Sequence, residues 1–204
     1  MLFRSPLAKY KGPRMWQRQV LRDIKTHIEK NKGQLNMDTL REAVASGRGI
    51  GKSALIAWIL HWFLSTRSHP QVVVTANTEV QLLTKTWRTL SRWHQRALNG
   101  HWFEWTATKY AFKGSPSTWF AAAVPWSENN PEAFAGQHDR NVLVLYDEAS
   151  NISDVIWEKS DGAMSTPGAM WVVFGNPTRN TGRFFECFHA YKRWWTTRQI
   201  DSRT

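Results

Sequence analysis

The stretch Ala43 to Leu60 constrains this chain more than any other. It reads as a short apolar strand, the loop Ser46-Gly47-Arg48-Gly49-Ile50-Gly51-Lys52-Ser53, and an amphipathic helix. Glycines at 47, 49 and 51 remove the Cβ atoms that would hold the backbone away from a polyphosphate. The freed N–H groups and the positive end of the next helix then face an anion. Lys52 has the reach for β and γ phosphates, and the Ser53 hydroxyl suits Mg²⁺. The spacing departs from G-x-x-x-x-G-K-[ST] at one position, where Ser46 stands for the first glycine. The plain alternative is a glycine-rich turn before a helix, with no ligand. A dinucleotide fingerprint fits less well, because the third glycine is out of register and Lys52 has no role in that site.

A second stretch matches the first in chemistry. Asn141-Val142-Leu143-Val144-Leu145-Tyr146-Asp147-Glu148 is a continuous apolar run that ends in two carboxylates. Such a run predicts a parallel strand buried on both faces. Its acids then sit at the carboxyl edge of the sheet, where strands of this kind present ligand groups. Asp147 is suited to hold Mg²⁺, directly or through water. Glu148 is suited to activate an attacking water. The alternative is a pair of exposed loop acids. A phosphate loop combined with this acidic pair points to hydrolysis, since phosphoryl transfer to water needs charge neutralisation, an in-line water and an oriented base.

The rest of the chain alternates helix and strand. Residues 1–13 read as a basic arm. Trp16, Val20, Leu21, Ile24 and Ile28 predict a helix over about 14–32. Gln17 at its start is a candidate adenine reader, since an amide pairs with the N6/N7 edge of that base; the alternative is a solvated helix residue. Further strands are expected at 71–77 and 169–174, two or three short ones in 101–127, and a final one at 193–201. Helices are expected from 77 or 78 to about 98, over 152–165, and from 181 to about 190. One face of the helix after residue 77 carries Lys85, Arg88, Arg92 and Arg96, a basic stripe at helical spacing. Asn176 in Gly175-Asn176-Pro177-Thr178 stands where a strand ends, placed to sense a γ phosphate or orient water. Alternating elements give an α/β fold: a mostly parallel sheet with helices on both faces.

The net charge is +11, unevenly spread. Residues 1–32 carry nine Lys/Arg against two acids, and 119–178 carry two against eight. Basic flanks around an acidic middle suggest a polyanion partner, most plausibly nucleic acid. The lone cysteine, Cys187, excludes a disulfide within the chain, and no zinc-like Cys/His spacing occurs. No apolar run approaches membrane-spanning length, and the N-terminus lacks an apolar signal core. The cytoplasm is the expected compartment, with no membrane partner.

Taken together, Ser46–Ser53, Thr75-Ala76-Asn77-Thr78-Glu79, Trp126-Ser127-Glu128 with Pro131 to Gly136, Tyr146-Asp147-Glu148-Ala149-Ser150 and Gly175-Asn176-Pro177-Thr178 resemble the large subunit of tailed-bacteriophage terminase, in its N-terminal ATPase domain. That resemblance implies a P-loop NTPase of the additional-strand, catalytic-glutamate type, with ATP as substrate and Mg²⁺ as cofactor. It implies translocation of double-stranded viral DNA into a procapsid. Residue by residue it suggests Gln17 for adenine, Ser46 to Ser53 for the phosphates, and Arg48 as the loop arginine at the γ phosphate. It suggests Ser53 and Asp147 for Mg²⁺, Glu148 as catalytic base and Asn176 for coupling. Arg140 and Arg183 are candidates for an arginine finger, and Arg88 and Arg92 for DNA contact. Implied partners are duplex DNA, the small terminase subunit, the portal protein, the procapsid and further copies in a ring; the isolated chain is expected to be monomeric. One ATPase domain is expected over 1–204, with a P-loop core at 41–178 and a C-terminal helix and strand at 179–204. The RNase H-like nuclease domain of such proteins has no counterpart, so no DNA cleavage is expected. Two rivals stay open: a P-loop helicase or translocase of another branch, and a nucleotide-gated DNA-binding module without turnover.

Overall fold

A computed structural model of the chain describes residues 12–34, 37–126 and 141–202. The apolar runs become strands of one sheet: β1 (Leu40–Ser46), β2 (Gln71–Ala76), β3 (Phe103–Trp105), β4 (Lys109–Phe112), β5 (Phe120–Ala123), β6 (Val142–Asp147), β7 (Met170–Gly175) and β8 (Thr196–Ile200). Their order is β3-β4-β5-β2-β6-β7-β1-β8. From β5 to β8 every neighbouring pair is parallel, whereas β3, β4 and β5 pair antiparallel at one edge. The fold class expected from the motifs is therefore the one observed. β7 lies between β1 and β6, so one additional strand separates the phosphate-loop strand from the acidic strand.

Period-two alternation decides which side chains meet which layer. On β1, β2, β6 and β7, residues Val44, Val72, Val74, Leu143, Leu145, Val172 and Phe174 share one core. Ala43, Ala45, Val73, Val144, Tyr146, Trp171 and Val173 share the other. The first face is covered by α1 (Met15–Asn31), by α2 (Lys52–Thr66) and by a helical rod. That rod has an α turn, α3 (Glu79–Gln81), a π-helical segment (Leu82–Trp87) and an α segment, α4 (Arg88–His94). The second face is covered by α5 (Asp154–Ala163) and the short α6 (Arg183–Glu186).

Local chemistry explains the ends. α1 begins where the Gln17 side-chain oxygen accepts from the Arg14 N–H at 2.8 Å, a substitute for one orphan bond of a helix start. It stops before Gly33, whose φ of 83° is left-handed. The rod begins at Thr78, whose hydroxyl accepts from the Gln81 N–H at 3.1 Å.

Three expectations need correction. The rod's last α segment closes at His94, short of residue 98, and its middle is π-helical. The helix expected over 152–165 is the shorter Asp154–Ala163, and the last helix ends at Glu186, with turns beyond it. Most of the basic arm (1–11) and the segment 127–140 lie outside the described residues.

Candidate active site

The carboxyl ends of the parallel strands align. Ala76 of β2 pairs with Asp147 of β6, Asp147 with Phe174 of β7, and Ala45 of β1 with Gly175. All the motif residues at strand ends therefore share one edge of the sheet. β7 keeps β1 and β6 about 10 Å apart, two strand spacings. The crossover from β1 to β2 closes that gap, because α2 passes over β7 and β6 on its way. Asp147, in register with Leu143 and Leu145, faces the same side as α2.

The result is direct contact between the two motifs. Ser53 Oγ donates to Asp147 Oδ2 at 3.0 Å. Lys52 Nζ folds back into the loop, donating to Gly47 O at 2.7 Å and to Asn176 Oδ1 at 2.7 Å. It also lies 3.4 Å from Ser46 Oγ. Lys52 and Asn176 are both buried, at 6% and 8% exposure. Burial pulls the Lys52 ammonium below its ordinary pKa, while the carboxylates of Glu148 and Asp147 oppose that shift. The backbone turns needed here fall to glycine: Gly49 has φ 77° and Gly51, the cap of α2, φ 94°. A Cβ on Gly47 would overlap the side chain of Ser202.

Glu148 occupies an unusual conformation for a bulky residue, φ 57° and ψ 43°. Left-handed backbone at a non-glycine residue costs about 1–3 kcal/mol and tends to be retained at working sites. Here it breaks β6 immediately after Asp147 and turns the second carboxylate out of the strand. Glu148 Oε1 accepts from Lys85 Nζ at 3.1 Å. Asp147 also accepts the Thr86 hydroxyl at 2.6 Å, and its Oδ1 accepts the Glu148 N–H at 3.1 Å. Lys85 and Thr86 belong to the π-helical segment. Sequence reasoning grouped Lys85 with the basic stripe and passed over Thr86; nothing in the local pattern marks a π turn.

The other candidates are placed as follows. Gln17 is buried, and its Nε2 donates to Gly51 O at 3.0 Å, so α1 braces the phosphate loop. Arg48 is exposed on the loop. Arg183 opens α6, its guanidinium 4.3 Å over the Tyr191 ring and its N–H bonded to Asp154. Arg88 and Arg92 are exposed on α4. Arg140 lies outside the described residues. A cleft of about 530 Å³ opens between the start of α1 and the end of β8, lined in part by Arg14, Met15, Trp16, Gln199 and Ile200.

The donor set suits one metal in particular. One hydroxyl and one carboxylate converge, and among the described residues no cluster of three or more His, Cys, Asp or Glu is able to hold an ion. Mg²⁺ is commonly bound this way, by one or two carboxylates with phosphate oxygens and water completing the octahedron.

The fold is that of P-loop NTPases, with the glycine-rich loop, an inserted strand and a paired-acid strand end on one sheet edge. No protein-family model matches the chain. It is similar to a protein named "Probable terminase, large subunit" from Enterobacteria phage P7, at 28% identity over 152 residues, 72% of this chain and 31% of that protein. The structure is similar to the large terminase of a thermophilic bacteriophage: TM-score 0.62, 13% identity, covering 87% of this chain and 44% of that one. A form of the same thermophilic phage protein in complex with ADP aligns at 0.60. The Thermus phage P74-26 large terminase ATPase domain aligns at 0.60 with 15% identity, over 98% of this chain and 86% of that domain. The resemblance to the terminase large subunit carried by the motifs is borne out by these matches, and the fold is that of its ATPase domain. The chain spans 31% of the length of its curated relative. Among the described residues no helix is long and apolar enough to cross a membrane.

Proposed function

We propose that this chain is the ATP-hydrolysing part of a phage DNA-packaging motor, using Mg²⁺-dependent ATP hydrolysis to translocate duplex DNA into a procapsid. The observation that carries this reading is the 3.0 Å bond between Ser53 and Asp147. It joins the phosphate loop to the acidic strand end, with Glu148 next in the chain. A motif pair that met only in sequence would leave these residues on separate strands of the sheet edge.

The roles follow from position. The Ser46–Ser53 loop cradles the triphosphate, and Lys52 exchanges Gly47 and Asn176 for phosphate oxygens. Ser53 and Asp147 would hold Mg²⁺, which would supply charge neutralisation on the phosphates. Glu148 takes the proton of the attacking water. Asn176, already bonded to Lys52, registers whether that lysine has turned to a phosphate, which is the coupling role. Arg48 reaches from the exposed loop to the γ phosphate. The adenine occupies the cleft beside Trp16, with Gln17, next in the chain, turning its amide to it from its bonds to Arg14 and Gly51. Arg140 and Arg183 are the candidates for a finger offered to a neighbouring copy in a ring. Arg88 and Arg92 contact the DNA backbone. The resemblance to the terminase large subunit implies the packaging partners: the small subunit, the portal and the procapsid, in the host cytoplasm.

Phosphate release from Mg-ATP tests the reading. Wild type with duplex DNA should exceed a Glu148→Ala control by at least ~100-fold, the loss usual for an essential base. Equal rates would leave a nucleotide-gated binding module. Separation of strands in a forked duplex would favour a helicase; a packaging motor moves duplex DNA intact.

A further inference from the structure

The rod after β2 carries three threonines whose hydroxyls behave differently. Thr84 donates back to Val80 O and Thr89 to Lys85 O, the ordinary fate of a helical threonine. Thr86, on the same rod and 3% exposed, sends its hydroxyl to Asp147 Oδ2 at 2.6 Å. It does so from a π-helical segment, a local form less stable than the α-helix and frequent at functional sites.

The bond completes an arrangement around one carboxylate. Asp147 Oδ2 accepts both Ser53 Oγ and Thr86 Oγ1, and Oδ1 accepts the Glu148 N–H. A carboxylate has about four lone-pair positions. Three are filled by the protein, from three different elements: α2, the π segment and the turn after β6. One is left to a hydrated cation. Ser53 and the Glu148 N–H both belong to parts of the site that answer to nucleotide, the loop end and the catalytic turn. Thr86 belongs to neither.

We infer that Thr86 is a positioning residue for the metal: its hydroxyl locks the rotamer of Asp147 and so sets the affinity for Mg²⁺, and the π turn exists to deliver it. This rests on the ATPase reading above. Groups one bond behind a metal ligand typically govern affinity by roughly 10–100-fold. Thr86→Val keeps the shape and removes the donor; Thr86→Ser keeps the donor.

Calorimetry separates the cases without any turnover. Binding of a non-hydrolysable ATP analogue is measured for the whole chain in Mg²⁺ and in EDTA, and the ratio of the two affinities is the metal's contribution. Wild type and Thr86→Ser should show the same ratio. Thr86→Val should lower it by roughly 10–100-fold while leaving the EDTA affinity unchanged. If Thr86→Val does not fold by thermal melting, Thr86→Ala against Thr86→Ser isolates the same hydroxyl. A wild-type ratio retained in the hydroxyl-free variant overturns the role of Thr86 and leaves the nucleotide site standing. So does a serine variant that fails as the valine variant does, since that marks packing. Wild type that binds no analogue, or binds it equally in EDTA, overturns the site reading and this inference with it.

Discussion

Lys85→Met should speed ATP hydrolysis by the free protein. Lys85 Nζ lies 3.1 Å from Glu148 Oε1, and the pair is lopsided: the lysine side chain is 50% exposed, the glutamate 11%. If Glu148 is the base, its carboxylate must leave the lysine to face the attacking water. The tie therefore opposes the productive orientation by whatever the pair is worth. A buried charge pair would hold by several kcal/mol, but half of this lysine is in water, and screened pairs of that kind are worth about 0.2–1 kcal/mol. At the upper end the productive orientation is suppressed about fivefold. Methionine keeps an apolar stem of similar length and deletes the charge. Steady-state assays without DNA should show kcat up by about 2–5-fold and KM nearly unchanged, with Lys85→Arg close to wild type. The reasoning fails if kcat falls or KM rises severalfold, because Lys85 would then be a phosphate ligand turned aside in the free protein.

Two further perturbations probe other parts of the molecule. Reversing the charge of Arg88 and Arg92 together should weaken duplex DNA binding and flatten the slope of log K against log salt by about two, near one for each phosphate no longer neutralised; an unchanged slope in a fluorescence titration makes that face of α4 an ordinary solvated surface. Glu42, fully buried in β1, has a carboxyl pKa raised well above its usual 4.5, by burial first and then by the charge of Asp23, with Arg198 opposing. Below that usual value both folded and unfolded chains hold the proton and burial costs little. As pH rises past it the unfolded chain ionises first, so stability drains toward the raised folded pKa, by up to about 1.4 kcal/mol per pH unit inside the window. Glu42→Gln should therefore raise the melting temperature by a few degrees at pH 8 and hardly at all at pH 4, a difference that calorimetric scans resolve. A constant gain at both pH values removes titration of Glu42 from the explanation.

What could be read in the sequence divides by the range over which the physics acts. The phosphate loop and the strand Val142–Asp147 announce themselves, because turn chemistry and burial on two faces are written in consecutive residues. The alternation on β6 even says which face Asp147 shares with Leu143 and Leu145. Strand order is not written that way. β7 reaches β1 through pairings more than a hundred residues apart, such as Ala45 with Gly175. Only the finished sheet shows that α2 must cross β7 and β6, which is why Ser53 arrives at Asp147. The rod is the sharper case. A 3.6-residue period sets Lys85, Arg88 and Arg92 on one exposed stripe, and Arg88 and Arg92 are indeed exposed on α4. The π-helical segment Leu82–Trp87 breaks the period at the point where it matters, turning Lys85 to Glu148 and Thr86 to Asp147. No residue in that segment carries a π signal, and the carboxylates that Lys85 and Thr86 meet there lie some sixty residues further along the chain. The same holds for Glu148: nothing in Asp-Glu-Ala-Ser demands a left-handed residue, and its φ of 57° follows from the turn after β6. Where local preference and final geometry part company in this chain, they do so within one small volume around the acidic pair, and that is where strain retained for a chemical purpose is expected to collect.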